Sequence, residues 1–133
     1  DYIPPARYPE DLAHIPAEQM AELIRKLAAD CGYEIIILDV GNYGHQAAPI
    51  LSVCQIVYMP VKEDGISSAK IREFEAYAER TGNSGMLDKV KKLKLPYHRG
   101  FGRRENYIEQ LLWSELGDYV RKLMRGSREE MEC

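Results

Sequence analysis

The chain has 133 residues, 45% hydrophobic and 29% charged, a composition that fits one globular domain with a real core. Eighteen Lys and Arg stand against 21 Asp and Glu. This mildly acidic balance argues against nucleic-acid or anionic-membrane binding by the surface as a whole. Cys31, Cys54 and Cys133 are odd in number and unevenly spaced, so the sequence predicts no disulfide framework or zinc site and favours a reducing, cytoplasmic setting. No apolar run reaches the roughly 20 residues needed to span a bilayer.

Residues 1–16 carry four of the seven prolines and predict a short extended piece followed by an irregular loop. The start lacks a Met and a signal-peptide pattern, which is the expectation for a chain cut from something longer. From Ala17 the spacing of Met20, Leu23, Ile24, Leu27, Ala28 and Cys31 predicts an amphipathic helix over 17–30. Pro16 stands at its start and Gly32 at its stop. Glu34-Ile-Ile-Ile-Leu-Asp39 is an unbroken apolar run ending on a carboxylate, the pattern of a parallel strand covered on both faces.

Val53–Val61 predicts a second such strand, closed by Pro60, with only a short helix in "QAAPILS" between the two. Ser67–Arg80 predicts a helix capped at Ser67 or Ser68, with Ile71, Phe74 and Ala78 inward and Gly82-Asn-Ser-Gly85 as its end. A helical turn in "MLDKV" leads to a short strand, Lys92–Leu95, ended by Pro96. Ile108, Leu111, Leu112, Leu116, Tyr119, Val120, Leu123 and Met124 form a regular helical stripe over 105–124. The polar residues 125–133 read as a frayed tail outside the domain. Strands alternating with helices predict an α/β fold with a mainly parallel sheet flanked by helices.

A carboxylate at the end of such a strand, followed by Gly41, is one way to hold magnesium beside a nucleotide phosphate. Capping of the next helix, or of the turn, is the better explanation of Asp39 from these residues alone. The wider order adds to this. "YEIIILDVGN", "IVYMPVKEDGISSAKIREF" and "KLKLPYHRG", set between amphipathic helices, resemble the C-terminal half of MinD/ParA-type P-loop ATPases over about residues 1–124. The nearest resemblance is to the pilus-assembly proteins of the TadZ/CpaE kind.

That resemblance implies a partial P-loop NTPase (Rossmann-like) domain. Asp39 would be the Walker-B or switch II aspartate near magnesium, Gly41 and Asn42 would lie in the switch, and Leu95, Pro96 and Tyr97 would approach the adenine. It further implies ATP and magnesium in the intact protein only, a cytoplasmic homodimer, and protein partners of a polar or pilus machinery. No direct nucleic-acid contact and only indirect membrane contact are implied.

Two departures stand out. "DVGN" replaces the family's Asp-x-Pro type of switch, and no G-x-x-x-x-G-K-[ST] occurs anywhere in the chain. The strand leading to that phosphate loop lies at the centre of the family's sheet, beside the Asp39 strand. The isolated chain is therefore not expected to hydrolyse ATP, and it is expected to expose apolar strand edges and to associate.

A non-catalytic α/β interaction module is the alternative reading. A receiver-like domain fits less well, because "YIPP" offers no acidic pair and the lysines of "KLKLPY" precede the strand's end. The basic loop holding His98, Arg99, Arg103 and Arg104 could touch phosphate, or be ordinary solvated surface. His14 and His45 have no ligand at metal spacing, and Ser52, Ser67 and Ser68 lie in no nucleophile elbow. The polar face of the terminal helix mixes Glu109, Glu115 and Asp118 with Arg121 and Lys122, which favours packing on the sheet over insertion in anionic lipid.

Overall fold

The computed structural model describes residues 1–4, 7, 14–41, 47–96 and 106–132. Among them the elements run α1 (Ala17–Asp30), α2 (Ala47–Ser52), β1 (Val57–Pro60), α3 (Gly65–Arg80), α4 (Ser84–Leu87), β2 (Val90–Leu93), α5 (Tyr107–Leu112) and α6 (Glu115–Glu132). The fold is mixed α/β, with a two-stranded parallel sheet flanked by helices. Two compact units divide the chain: Asp1–Cys54 with Ala78–Asp88, and Gln55–Tyr77 with Lys89–Cys133.

The first unit is helical. α1 packs against α2, and α2 against α4. Its buried residues are small or aliphatic: Ala17 and Ala21 from α1, Ala48, Ile50 and Leu51 from α2, Ala78, and Met86. The α1 stripe is thus shifted toward Ala17 and Ala21, while Leu23 stays half exposed. α1 stops as its sequence predicts, with Gly32 at φ 66°, where a side chain would be strained. The C-terminal end of α3 closes in a Schellman motif. Asn83 donates its N–H to the Ala78 carbonyl at 2.8 Å, Gly82 donates to Glu79 at 3.2 Å, and Gly82 takes φ 74°.

The same unit corrects the reading of residues 34–39 as a buried strand. They form no strand, and Ile35 and Ile37 are 45% and 78% exposed. Exposure alternates along the run, with Ile36, Leu38 and Val40 half-buried between exposed neighbours. The residues thus keep the period of a strand without its ladder. A strand exists only by pairing, and apolar character cannot supply the hydrogen-bonding partner.

The second unit holds the sheet. β1 pairs with β2 in parallel, Val57 opposite Val90 through Pro60 opposite Leu93. Val57 N–H donates to Lys89 O at 2.9 Å, and Val61 N–H to Leu93 O at 2.8 Å. Both strands differ in extent from their predicted ranges. β1 begins at Val57 because the turn closing α2 consumes Val53 and Cys54, whose N–H groups donate to Ile50 and Leu51. β2 begins two residues before Lys92 and ends at Leu93.

α6 is tied to the sheet by a hydrogen bond between the hydroxyls of Tyr58 and Ser127, the latter 6% exposed. Ser127 also donates to the Leu123 carbonyl at 2.8 Å. α6 runs on through Glu132, across the segment that the sequence predicts to be a frayed tail. The predicted single helix over 105–124 is two helices with a corner at Trp113–Ser114. There Ser114 Oγ accepts from Gly117 N–H at 3.2 Å and donates to Leu111 O at 2.6 Å, while Arg121 Nη1 donates to Leu112 O at 2.6 Å. Ser114 thereby caps α6, and Arg121 satisfies a carbonyl at the end of α5.

Candidate functional site

In parallel α/β sheets the chain leaves each strand at the same edge, and ligands gather there. In the second unit that edge carries the segment after β1, Val61–Asp64, and the segment after β2, Lys94–Pro96. The parallel register sets them side by side, and an ion pair joins them, Lys94 Nζ to Glu63 Oε2 at 2.7 Å. Both partners are largely exposed, so the pair locates the loops more than it stabilises them.

Behind these loops begins α3, and its start is built by Asp64. The Asp64 carboxylate accepts the Ser67 N–H at 2.6 Å, and its carbonyl accepts the Ser68 N–H at 3.0 Å. Asp64 is therefore the N-cap, in place of the predicted Ser67 or Ser68. The "Asp-x-x-Ser" spacing that signals it was already in the sequence. The hydrogen bond from the Ser67 backbone, with help from its hydroxyl, holds the Asp64 carboxyl below its ordinary value of 3.8. Nearby Lys62 acts in the same direction.

An open depression of about 500 Å³ lies where β1 ends and α3 begins. Met59, Val61, Ile71 and Phe74 give it an apolar floor, and Lys62, Ser67 and Lys70 supply its polar lining. Sequence reasoning missed the two lysines. They fall in one stretch of the sequence, but only the β1–α3 connection brings them to one place.

Of the residues singled out in the sequence, Leu95 and Pro96 stand at this edge, Leu95 exposed and Pro96 half-buried. Asp39 and Gly41 lie in the first unit, both exposed, at the end of the unpaired apolar run. Asn42 and Tyr97 fall outside the described residues, as do His45, His98, Arg99, Arg103 and Arg104. Among the described residues no three His, Cys, Asp or Glu side chains converge as a metal-binding group. One carboxylate, that of Asp39, fits the way magnesium is held in nucleotide sites, by one or two carboxylates with waters and substrate phosphates. It would not retain the ion without those phosphates. No described helix is long and apolar enough to cross a membrane.

No family model, curated protein or solved structure matches this chain.

Proposed function

We propose that the chain is the C-terminal portion of a MinD/ParA-like ATPase that acts in bacterial spatial organisation or pilus assembly. The observation that carries this reading is the parallel β1–α3–β2 unit. Its carboxyl edge brings the loop of "MPVKEDGIS" beside Leu95 and Pro96, which is the neighbourhood the resemblance asks for around a nucleotide. The exposed run Ile35–Leu38 supports it as well. An apolar run with no ladder among the described residues accords with a neighbour, here the strand leading to a phosphate loop, that belongs to the rest of the intact protein. In the intact P-loop NTPase, Asp39 holds magnesium together with the nucleotide's phosphates, Gly41 and Asn42 form the switch, and Leu95, Pro96 and Tyr97 flank the base. Nucleotide binding then drives homodimerisation in the cytoplasm and recruitment of protein partners, with hydrolysis as the timer.

Titration calorimetry of Mg-ATP and Mg-ADP into the parent protein, with Asp39→Ala beside it, tests the reading. Binding that loses its magnesium dependence in the variant supports it, and the 133-residue chain alone then binds poorly. A parent that binds no nucleotide overturns it in favour of an α/β interaction module. The exposed apolar side chains Ile108, Leu112 and Trp113 at the α5–α6 corner, the last 85% exposed, favour that second reading.

A further inference from the structure

We propose that the depression between β1 and α3 binds a small aliphatic monocarboxylate, its head between Lys62 and Lys70 and its chain on the apolar floor. Every residue that lines it belongs to the second unit. Ser67, Lys70, Ile71 and Phe74 stand at i, i+3, i+4 and i+7, so they share one face of α3. Met59 and Val61 are two residues apart and share one face of β1 and its continuation. Met59, Val61, Ile71 and Phe74 are each half-buried, and the apolar surface they leave to water is what an aliphatic chain covers. Two attachments hold the walls. Asp64 caps the start of α3, and Lys92 Nζ on β2 meets Glu75 Oε1 on α3 at 2.6 Å. The volume of about 500 Å³ lies in the range of small-molecule sites.

The charges select the head group. The amino end of α3 is not the anion site, because Asp64 already takes the Ser67 N–H with its carboxylate and the Ser68 N–H with its carbonyl. The attraction comes from Lys62 and Lys70, both exposed. Glu63, the other acid of the loop, is drawn to Lys94. Two ammonium groups and the Asp64 carboxylate beside Lys62 leave one net positive charge, which a monoanion balances. A dianionic phosphate would meet the repulsion of Asp64 as well. The nucleotide of the ATPase reading is assigned to Asp39, Gly41, Asn42, Leu95, Pro96 and Tyr97, none of which lines the depression. The proposal requires no nucleotide and stands apart from that reading.

Titration of the 133-residue chain with butyrate, hexanoate and octanoate, without nucleotide and followed by amide NMR spectra, tests it. The expected result is saturable shifts on β1 and the first half of α3, with affinity rising up to about fourfold for each methylene that reaches the floor. Octan-1-ol, which keeps the chain without the charge, binds more weakly than octanoate. Lys62→Gln and Lys70→Gln, both at exposed positions, each weaken octanoate binding by up to about fivefold, the range of one partly exposed ion pair. No saturable binding overturns the proposal. Octan-1-ol binding as tightly as octanoate, affinity indifferent to both lysine variants, or affinity that does not rise with chain length does so equally. Capture by phosphatidylglycerol vesicles through the same lysines, with no binding of free octanoate, would assign the anion to a lipid surface and overturn the small-ligand site.

Discussion

Gly117→Ala is the sharpest test of the α5–α6 corner. A Cβ built on Gly117 would stand 2.5 Å from the carbonyl oxygens of both Leu111 and Leu112 and 2.8 Å from the Leu112 carbonyl carbon. Carbon–oxygen contacts normally close no nearer than about 3.3 Å, and the obstructing atoms are backbone, which cannot rotate aside. The first turn of α6 must therefore back away from α5. The bonds that cross the corner stretch with it: Gly117 N–H to Ser114, and Arg121 to Leu112 O. Overpacking of this kind costs about 1–3 kcal/mol, and a weakened N-cap adds up to about 1 kcal/mol. The better helix propensity of alanine returns about 1 kcal/mol, leaving a net loss of up to about 3 kcal/mol. Gly126→Ala is the matched control. It lies in the same helix with nothing within 4 Å of its Cβ, so propensity alone predicts a gain of up to about 1 kcal/mol. Denaturant unfolding followed by circular dichroism should separate the two variants by roughly 1–4 kcal/mol. Equal stabilities would refute the reasoning and mean that α5 and α6 can straighten at no cost into the single helix that the stripe from Ile108 to Met124 predicts.

The Asp64 cap gives a pH signature. Its carboxyl is lowered in the folded chain, so its contribution is complete above the ordinary carboxylate value of 3.8 and is lost as pH falls through the lower folded value. Asp64→Ala should therefore be less stable than the wild type at neutral pH and converge with it in acid, whereas Asp64→Asn, which keeps a capping acceptor, should lose less; unfolding curves from neutral to strongly acidic pH read this directly. Removal of either hydroxyl of the Tyr58–Ser127 bond, by Tyr58→Phe or Ser127→Ala, should cost about 0.5–1.5 kcal/mol, and a double-mutant cycle should show the two losses to be non-additive. Gly82→Ala, forced to φ 74°, should cost about 1–2 kcal/mol, and Gly82→Asn clearly less; thermal melts of the two variants check the order.

What was legible in the sequence was local. Periodicity located α1 and α3, and Gly32 and Gly82 marked their ends because a positive φ is written into the residue type. The inward face of α3, Ile71, Phe74 and Ala78, is likewise half-buried or buried as its spacing requires. What stayed hidden depends on partners distant in sequence or on competition between neighbours. Asp64 outcompetes Ser67 for the cap because its carboxylate reaches the Ser67 N–H from one residue before the helix. The break at Trp113–Ser114 leaves no gap in the apolar stripe, since its cause is a backbone approach at Gly117 and a hydroxyl at Ser114. Lys62 and Lys70 fall in one stretch of the sequence, but only the turn from β1 into α3 puts both in the lining of the depression.

The apolar run before Asp39 carries the most weight, because hydrophobicity and pairing give different answers there. Four consecutive apolar residues favour an extended backbone, and from Ile35 to Val40 exposure alternates with the period of a strand. They do not supply hydrogen bonds, and a two-stranded sheet such as β1–β2 is near the smallest that persists even with helices packed upon it. Ile35 and Ile37 stay exposed in an apolar run that forms no ladder among the described residues. On the ATPase reading its neighbour is a strand of the parent protein, so the parent should protect residues 35–38 from hydrogen exchange at any dilution, and Ile37→Lys should impair its folding.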